Sequence, residues 1–315
     1  MCCWEELLND SLAPATCTLC PRRCQAARIS GERGFCGATD RLRVARVALH
    51  HWEEPPISGC QGSGTVFFSN CGLRCVYCQN YQISLDGYGT EISTQRLARA
   101  FLELAGQGAH NINLVTATQY SLEVMEAVQV ARSMGLKIPV IWNSSGYENV
   151  ETIMRLADTV DAWLMDFRYC SAALAERYSQ ASDYPSVAAA ALLAAVQQSG
   201  PYTLDSSGLM TSGVLVRFLL LPGLLSDTIA CVDQVFSLVG NSVCYSLLSQ
   251  YTPPAGITER YPELAGQVSA WDYDLLIDHV LGLGITDSFM QEEGSSSADF
   301  IPAFDLAGVV NQSVQ

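Results

Sequence analysis

The sequence predicts an α/β fold, a partial (β/α)6 barrel of parallel strands behind a small cysteine-rich, metal-binding N-terminal segment. Three observations predict it. From about residue 60 onward, short apolar runs alternate with amphipathic helical stretches, the pattern of βα units in a parallel sheet. Polar residues gather just after the carboxyl ends of the expected strands, where parallel α/β folds carry their sites. Seven of the 13 cysteines fall in two tight groups, one ahead of the alternation and one directly after its first strand.

In chain order, residues 1–60 form the cysteine-rich segment with a lead-in strand, 61–290 the barrel, and 291–315 a C-terminal linker and tail. Cys17, Cys20 and Cys24 follow a C-x2-C-x3-C spacing, and Cys36 sits in Gly34-Phe35-Cys36-Gly37. With Pro21, Gly31, Gly34 and Gly37 for tight turns, these four thiols read as a closed metal site. Zinc and an iron–sulfur cluster both suit it, since thiolate number does not choose between them. A strand at 42–49 leads into His50-His51-Trp52-Glu53-Glu54-Pro55-Pro56.

The alternation begins with a strand at 65–69, which feeds the second cysteine group. A helix follows at 94–106, with Thr94 as its N-cap and Leu97, Phe101 and Leu104 on one face. Next come a strand at 112–116, a helix from 121 to about 134 ending at Gly135, and a strand at 138–142. A helix near 148–157 and a strand at 161–165 follow. The helical stretch 171–198 reads as two helices separated near 182–185, its alanine run being helix-favouring core material. A hairpin around 205–208 interrupts the alternation. The strand at 214–221, a helix at 226–239, a strand at 243–248 and a helix at 273–283 complete it, ahead of 285–290 and a Gly/Ser-rich linker at 294–297.

Composition excludes several function classes. Of the 315 residues 49% are hydrophobic and 16% charged, enough to bury a sizeable core. No apolar run is long enough to span a bilayer and the N-terminal residues lack a signal core, so a cytoplasmic protein without a membrane partner is expected. A chain this large needs no disulfide scaffold, so the clustered cysteines point to metal. The net charge of −15 argues against a nucleic-acid partner. Arg22, Arg23, Arg28, Arg33, Arg41, Arg43 and Arg46 nevertheless outnumber Glu32 and Asp40 between Cys20 and Arg46. That stretch either docks an acidic partner such as an electron-donating flavodoxin or covers a metal site with solvated arginines. The single lysine, Lys137, precedes a strand at the end opposite the expected site, which argues against Schiff-base or pyridoxal chemistry.

The second cysteine group is Cys71-Gly-Leu-Arg-Cys75-Val-Tyr-Cys78. Three thiolates on one loop can hold a soft metal site but cannot complete a tetrahedral or cubane one, which needs four ligands. An iron left without a thiolate can bind a small molecule directly. Around the expected rim stand Thr116, Thr118 and Gln119, then Asn143, Ser144 and Ser145, Asp166 and Arg168, Arg217, and Gln250 with Tyr251. Hydroxyls, amides and guanidinium groups together suit a zwitterionic nucleoside. Glu53 and Glu54 form either an acid–base pair beside the barrel mouth or a turn before Pro55-Pro56. His50, His51, His110 and His279 are scattered and read as structural, with His51 and His110 the candidate exceptions. Cys60 reads as a spare thiol near the loop, and Cys2, Cys3, Cys170, Cys231 and Cys244 as small core residues.

The C-x3-C-x2-C spacing, with aromatic Tyr77 before the last cysteine, resembles the signature of the radical S-adenosylmethionine (SAM) superfamily. The resemblance extends along the chain to the proteins called pyruvate formate-lyase activating enzyme-like. It is carried by Cys17-Thr-Leu-Cys-Pro-Arg-Arg-Cys24, Gly34-Phe-Cys-Gly37, Trp52-Glu-Glu-Pro-Pro-Ile-Ser-Gly59, Gly62-Ser-Gly-Thr-Val-Phe-Phe68, the 71–80 loop, Gly108-Ala-His-Asn-Ile-Asn-Leu-Val-Thr116, Ser145-Gly-Tyr147 and Phe300-Ile-Pro-Ala-Phe-Asp305. It implies a radical SAM barrel with a [4Fe-4S] cluster on Cys71, Cys75 and Cys78 and SAM on the fourth iron. It further implies SAM cleavage to a 5′-deoxyadenosyl radical for hydrogen abstraction, with a flavodoxin or ferredoxin as reductant. Tyr77 would meet the adenine and the Thr116 to Thr118 segment the amino group, with Asn143 or Ser145 at ribose or carboxylate. Asp166-Phe167-Arg168 stands where related activases have Asp-Leu-Lys, and Arg217 where they have an arginine before Pro-Gly. Val115-Thr-Ala-Thr118 departs from the activases' Gly-Gly-Glu motif. The substrate is then a protein, as for a glycyl-radical activase, or alternatively a small molecule, peptide or RNA. A non-enzymatic interaction protein with two structural metal sites is the third reading.

Overall fold

The computed structural model describes residues 16–254, 256–291 and 302–310. The linker expected at 294–297, the tail beyond 310, Cys2 and Cys3, and residues 300–301 of the last matching stretch lie outside them.

The strands are β1 (Arg43–His50), β2 (Ser63–Phe68), β3 (Thr90–Glu91), β4 (Ile112–Val115), β5 (Val140–Ser144), β6 (Ala162–Asp166), β7 (Thr203–Leu204), β8 (Met210–Leu219), β9 (Cys244–Leu248) and β10 (Ser288–Met290). They form a ten-stranded sheet in the order β10-β9-β8-β6-β5-β4-β2-β1-β3, with β7 paired to β8. Strands β2, β4, β5 and β9 are buried at every position, as expected where helices cover one face and a packed interior the other. From β2 to β10 along this order every pair is parallel. That is one parallel strand beyond the six expected, because 288–290 pairs with β9. β1 returns antiparallel to β2, and β3 antiparallel to β1. Among the described residues the edges β3 and β10 do not pair, so the barrel is partial, as the alternation predicts.

The helices are α1 (Pro55–Ser58), α2 (Tyr81–Ser84), α3 (Thr94–Gly106), α4 (Ser121–Ser133), α5 (Val150–Arg155), α6 (Ala172–Ser179), α7 (Tyr184–Ser199), α8 (Leu225–Val239), α9 (Ile257–Arg260) and α10 (Ala270–Gly282). The cap of α3 is Ser93, whose hydroxyl accepts from the Arg96 amide, one residue before the expected Thr94. Leu97, Phe101 and Leu104 are buried together, as the 3.6-residue period requires. The long helical stretch breaks between α6 and α7, where Gln180 takes a left-handed φ of 51° and Pro185 fits the first turn of α7. No helix among the described residues is long and apolar enough to cross a membrane.

Residues 302–310 run along β1: the Val47 amide donates to Ala307 O and the Leu306 amide to Ala45 O. Arg46 pairs with Asp305 at 2.6 Å, and the Phe304 ring packs edge-on against Phe67. Gly308, at φ 69°, lies so close to β1 that a Cβ would stand 2.2 Å from Val47 O. The segment is thereby pressed against β1, next to the β3 edge of the sheet.

Candidate active site

A cavity of about 360 Å³ opens at the carboxyl ends of the parallel strands. That volume falls in the ~300–1,000 Å³ range of small-molecule sites. Seven of the expected contact residues line it: Tyr77, Thr116, Asn143, Ser145, Asp166, Arg168 and Arg217. Cys71, Cys75 and Cys78 line the same cavity. Thr118 does not, and Lys137 is exposed ahead of β5.

The cysteine loop leaves β2 through two residues with left-handed backbone, Asn70 at φ 74° and Arg74 at φ 56°. Arg22, from the N-terminal segment, holds the loop: its Nε donates to Gly72 O at 2.9 Å and its Nη2 to Leu73 O at 3.2 Å and Ser179 O at 2.6 Å. On the far side Gln79 Nε2 donates to Gln250 O at 2.9 Å, tying the loop to the end of β9. Ser84 donates its hydroxyl to Cys78 Sγ at 3.2 Å. Burial, with Cys75 alongside, pushes the Cys71 thiol up to about 12. Ligation therefore needs a metal's charge to displace the protons.

Beside the loop, Tyr77 is 3% exposed and its ring meets Tyr169, Tyr178 and Tyr251 edge-on. Tyr169 donates its hydroxyl to Tyr77 at 2.7 Å. Arg168 is ion-paired with Asp166 and lies over the Tyr77 ring at 5.9 Å. Burial alone would lower the Arg168 guanidinium, but Asp166 outweighs it and the group stays charged. Its Nε is buried without a hydrogen-bond partner. Tyr184 fixes this corner, accepting from the Arg168 amide at 3.0 Å while its hydroxyl reaches Ser145 O and Asp166 O. Gly146, at φ 77°, fits here because a Cβ would stand 2.3 Å from Asp166 O.

The cavity floor is a charge network. The segment after β1 sends Glu53 and Glu54 inward to Arg217. Arg217 Nε donates to Glu54 at 2.8 Å, Ser246 adds a hydrogen bond to Glu54 at 2.7 Å, and Asn113 donates to Glu53 at 2.9 Å. Asn143 reaches Glu53 at 3.3 Å. Burial would raise the Glu54 carboxyl, but Arg217 and Ser246 hold it below the usual carboxylate range. Arg217 and Asn143 thus have protein partners that local sequence does not announce. His50 lines this part of the cavity, and burial lowers its pKa. The other histidines lie elsewhere: His279 meets Asp233 at 2.7 Å, and exposed Cys60 lies 3.8 Å from His110.

At the end of β4 the chain turns through Thr116, at φ 58°. Gln119 secures that turn by donating to Ser69 O, Asn70 O and Thr116 O at 2.8–3.1 Å. Thr118 points away from the cavity and donates to Glu148 at 2.6 Å; Ser144 and Trp142 donate to the same carboxylate oxygen. Glu148 is 2% exposed, and burial raises its carboxyl despite these three donors.

The N-terminal cysteines pack against this site. Cys17 and Cys36 are buried, Cys20 and Cys24 half-buried. Gly34 passes tightly between thiols, since a Cβ there would stand 3.2 Å from Cys24 Sγ and 3.5 Å from Cys36 Sγ. Gly72 of the other loop approaches Cys20 in the same way, at 3.4 Å. Among the described residues no three His, Cys, Asp or Glu side chains converge on one point as a single metal ion would require.

Residues 58–182 match the family model of the 4Fe-4S single cluster domain. An uncharacterised protein of Methanocaldococcus jannaschii, MJ0674, is 26% identical over 259 residues, which cover 79% of this chain and 69% of that protein. Among solved structures, methylornithine synthase (PylB) aligns with a TM-score of 0.47 at 14% identity, covering 68% of this chain and 58% of that enzyme. The matched part thus spans less than two thirds of the enzyme's own length. The stretch 58–182, which carries Cys71, Cys75 and Cys78, is therefore similar to a domain that holds one 4Fe-4S cluster.

Proposed function

We propose that this chain is a radical SAM enzyme, with a [4Fe-4S] cluster on Cys71, Cys75 and Cys78 and SAM in the adjoining cavity. The observation that carries the reading is a ligand set one thiolate short of a cubane, opening into a polar cavity at the strands' carboxyl ends. The residues present fit both groups. Ser84 supplies a donor to one thiolate, and Arg168 Nε is a buried donor with no protein partner, suited to a carboxylate. Bound and reduced by one electron, these groups supply cleavage of SAM to methionine and a 5′-deoxyadenosyl radical that takes a hydrogen atom from a substrate.

The chain's own part is positional. Tyr77 and its ring neighbours wall one side and exclude water from it. Asn143 and Ser145 offer an amide and a hydroxyl at the rim, and Thr116 presents the turned end of β4. Arg217, neutralised by Glu53 and Glu54, orders the floor rather than serving as a lone guanidinium. Thr118 acts at one remove, through Glu148.

We take the substrate to be a protein segment, as the activase-like resemblance implies, and Trp52, 59% exposed at the cavity, gives it an apolar ledge. A flavodoxin or ferredoxin donor and a cytoplasmic setting complete the reading. Anaerobically reconstituted protein given strong reductant and SAM is expected to release 5′-deoxyadenosine, and a Cys75→Ala variant to release none. A silent wild type, or an undiminished variant, would sink the reading.

A further inference from the structure

Two thiols outside both cysteine groups meet beside the corner that holds Asp166 and Arg168. Cys170 follows Tyr169 on the stretch between β6 and α6, and Cys231 lies in α8. On α8, Asp227, Cys231 and Gln234 are spaced i, i+4, i+7 and so share one face. The turn at Cys170 and Ser171 docks along that face. The Cys170 and Ser171 amides donate to the two Asp227 carboxylate oxygens at 3.2 and 2.8 Å. One turn further along, the Cys170 thiol reaches Ala230 O at 3.6 Å and Gln234 Oε1 at 3.0 Å. Cys231 lies between those two contacts in the chain, and its thiol hydrogen-bonds to Cys170.

The two sulfurs differ in the way that thiol–disulfide exchange requires. Cys231 is 1% exposed, whereas Cys170 is half-buried and open to a small reagent. The hydrogen bond from Cys231 lowers the Cys170 pKa, and the same bond together with burial raises that of Cys231. The accessible sulfur is thereby made the nucleophile, and the buried one keeps its proton until a mixed disulfide forms beside it. Position ties the pair to the cavity. Tyr169 donates its hydroxyl to Tyr77, and Arg168, two residues before Cys170, lines the cavity in its ion pair with Asp166. A covalent bond from Cys170 to α8 fixes the base of the stretch on which both stand.

We propose that Cys170 and Cys231 are a redox-active dithiol that closes to a disulfide when low-molecular-weight disulfides accumulate, fixing the stretch with Arg168 and Tyr169 to α8. The Cys170 thiolate attacks one sulfur of the small disulfide, which releases one small thiol and leaves a mixed disulfide on Cys170. Cys231 gives its proton to solvent and attacks the Cys170 sulfur, and the second small thiolate leaves and takes up a proton. Two protein thiols are thus oxidised by two electrons in total, and one small disulfide is reduced to two thiols. This chemistry does not involve the groups proposed for the cavity.

The test uses full-length protein reconstituted anaerobically with iron and sulfide and treated with oxidised glutathione at a concentration that modifies exposed Cys60. Remaining thiols are blocked with N-ethylmaleimide and the protein is mapped by mass spectrometry. The expected result is a peptide pair linked through Cys170 and Cys231, with both thiols losing alkylation together and dithiothreitol restoring both. In Cys231→Ser, Cys170 should stop at the glutathione adduct. Hydrogen exchange at residues 167–171 should slow roughly tenfold on closure. Glutathione retained on Cys170 in the wild type, or Cys170 and Cys231 both still open to alkylation beside a modified Cys60, would overturn the dithiol. Exchange at 167–171 that ignores oxidation would overturn its hold on the Arg168 stretch. The wild-type map decides even if the variant does not fold.

Discussion

Replacing Arg217 with methionine removes the cation from two buried carboxylates. The Glu53, Glu54 and Arg217 side chains are 9%, 5% and 13% exposed, so neither acid can turn to bulk water. Breaking a buried ion pair from one side costs about 3–5 kcal/mol, and R217M strands two acids at once, which places it near the upper end. Set against a total stability of roughly 5–15 kcal/mol, that is a large share. The pH dependence has a definite sign. In the wild type, Glu54 lies below its ordinary value because Arg217 and Ser246 outweigh burial. Such a group contributes stability that is full above an unfolded value of about 4.3 and is lost as pH falls through the folded value. In R217M burial acts without that cation and the Glu54 carboxyl rises above its unfolded value. Its contribution then becomes unfavourable, increasingly so as pH climbs between the two. The penalty of R217M should therefore be larger near pH 7 than near pH 5. Urea unfolding of anaerobic protein, followed by the fluorescence of buried Trp142 and Trp163, measures it at both pH values. A penalty below about 1 kcal/mol at neutral pH, or one indifferent to pH, would refute the buried-network account.

Other substitutions probe the remaining parts of the site. Gly146→Ala places a Cβ 2.3 Å from Asp166 O at φ 77°, and should cost about 3 kcal/mol in urea unfolding, while an unchanged midpoint would contradict the packing described. Gln119→Ala leaves Ser69 O, Asn70 O and Thr116 O without their donor and is expected to cost about 1–3 kcal/mol, with faster hydrogen exchange at the base of the cysteine loop. Unaltered exchange there would argue against the clamp. Glu148 has its carboxyl raised by burial, so its contribution to stability falls as pH rises from the unfolded to the folded value. Glu148→Gln lacks that titration and should gain on the wild type across the pH range above the unfolded carboxylate value of about 4.3. A constant difference in urea midpoint across that range would count against a buried, raised carboxyl.

The strands and helices that sequence made legible are those with a local cause. Leu97, Phe101 and Leu104 recur at helical spacing, the 205–208 turn closes on itself through the Asp205 amide and Leu209 O, and the runs that become β2, β4 and β5 are uninterrupted apolar segments. The polar rim was legible because the carboxyl ends of parallel strands share one face, and eight of its named residues do line the cavity. What sequence did not disclose depends on contacts between distant segments. Residues 288–290 are too short to announce a strand and gain that role only by pairing with β9. Arg217 stands among the rim groups expected to suit a zwitterionic nucleoside, yet Glu53 and Glu54, more than 160 residues away, already hold it. Thr118 lies on the expected segment, but the left-handed turn at Thr116 aims it at Glu148. Capping of α3 moved by one residue because Ser93, not Thr94, has the extended backbone a cap requires.

The central claim is that the centre on Cys71, Cys75 and Cys78 keeps one iron open to SAM. The direct measurement is the EPR spectrum of the reduced, reconstituted protein before and after SAM is added, under strictly anaerobic conditions. The account predicts a shift in the signal's g-values on adding SAM, and loss of that response in Cys75→Ala. A cluster signal that SAM leaves untouched would contradict it.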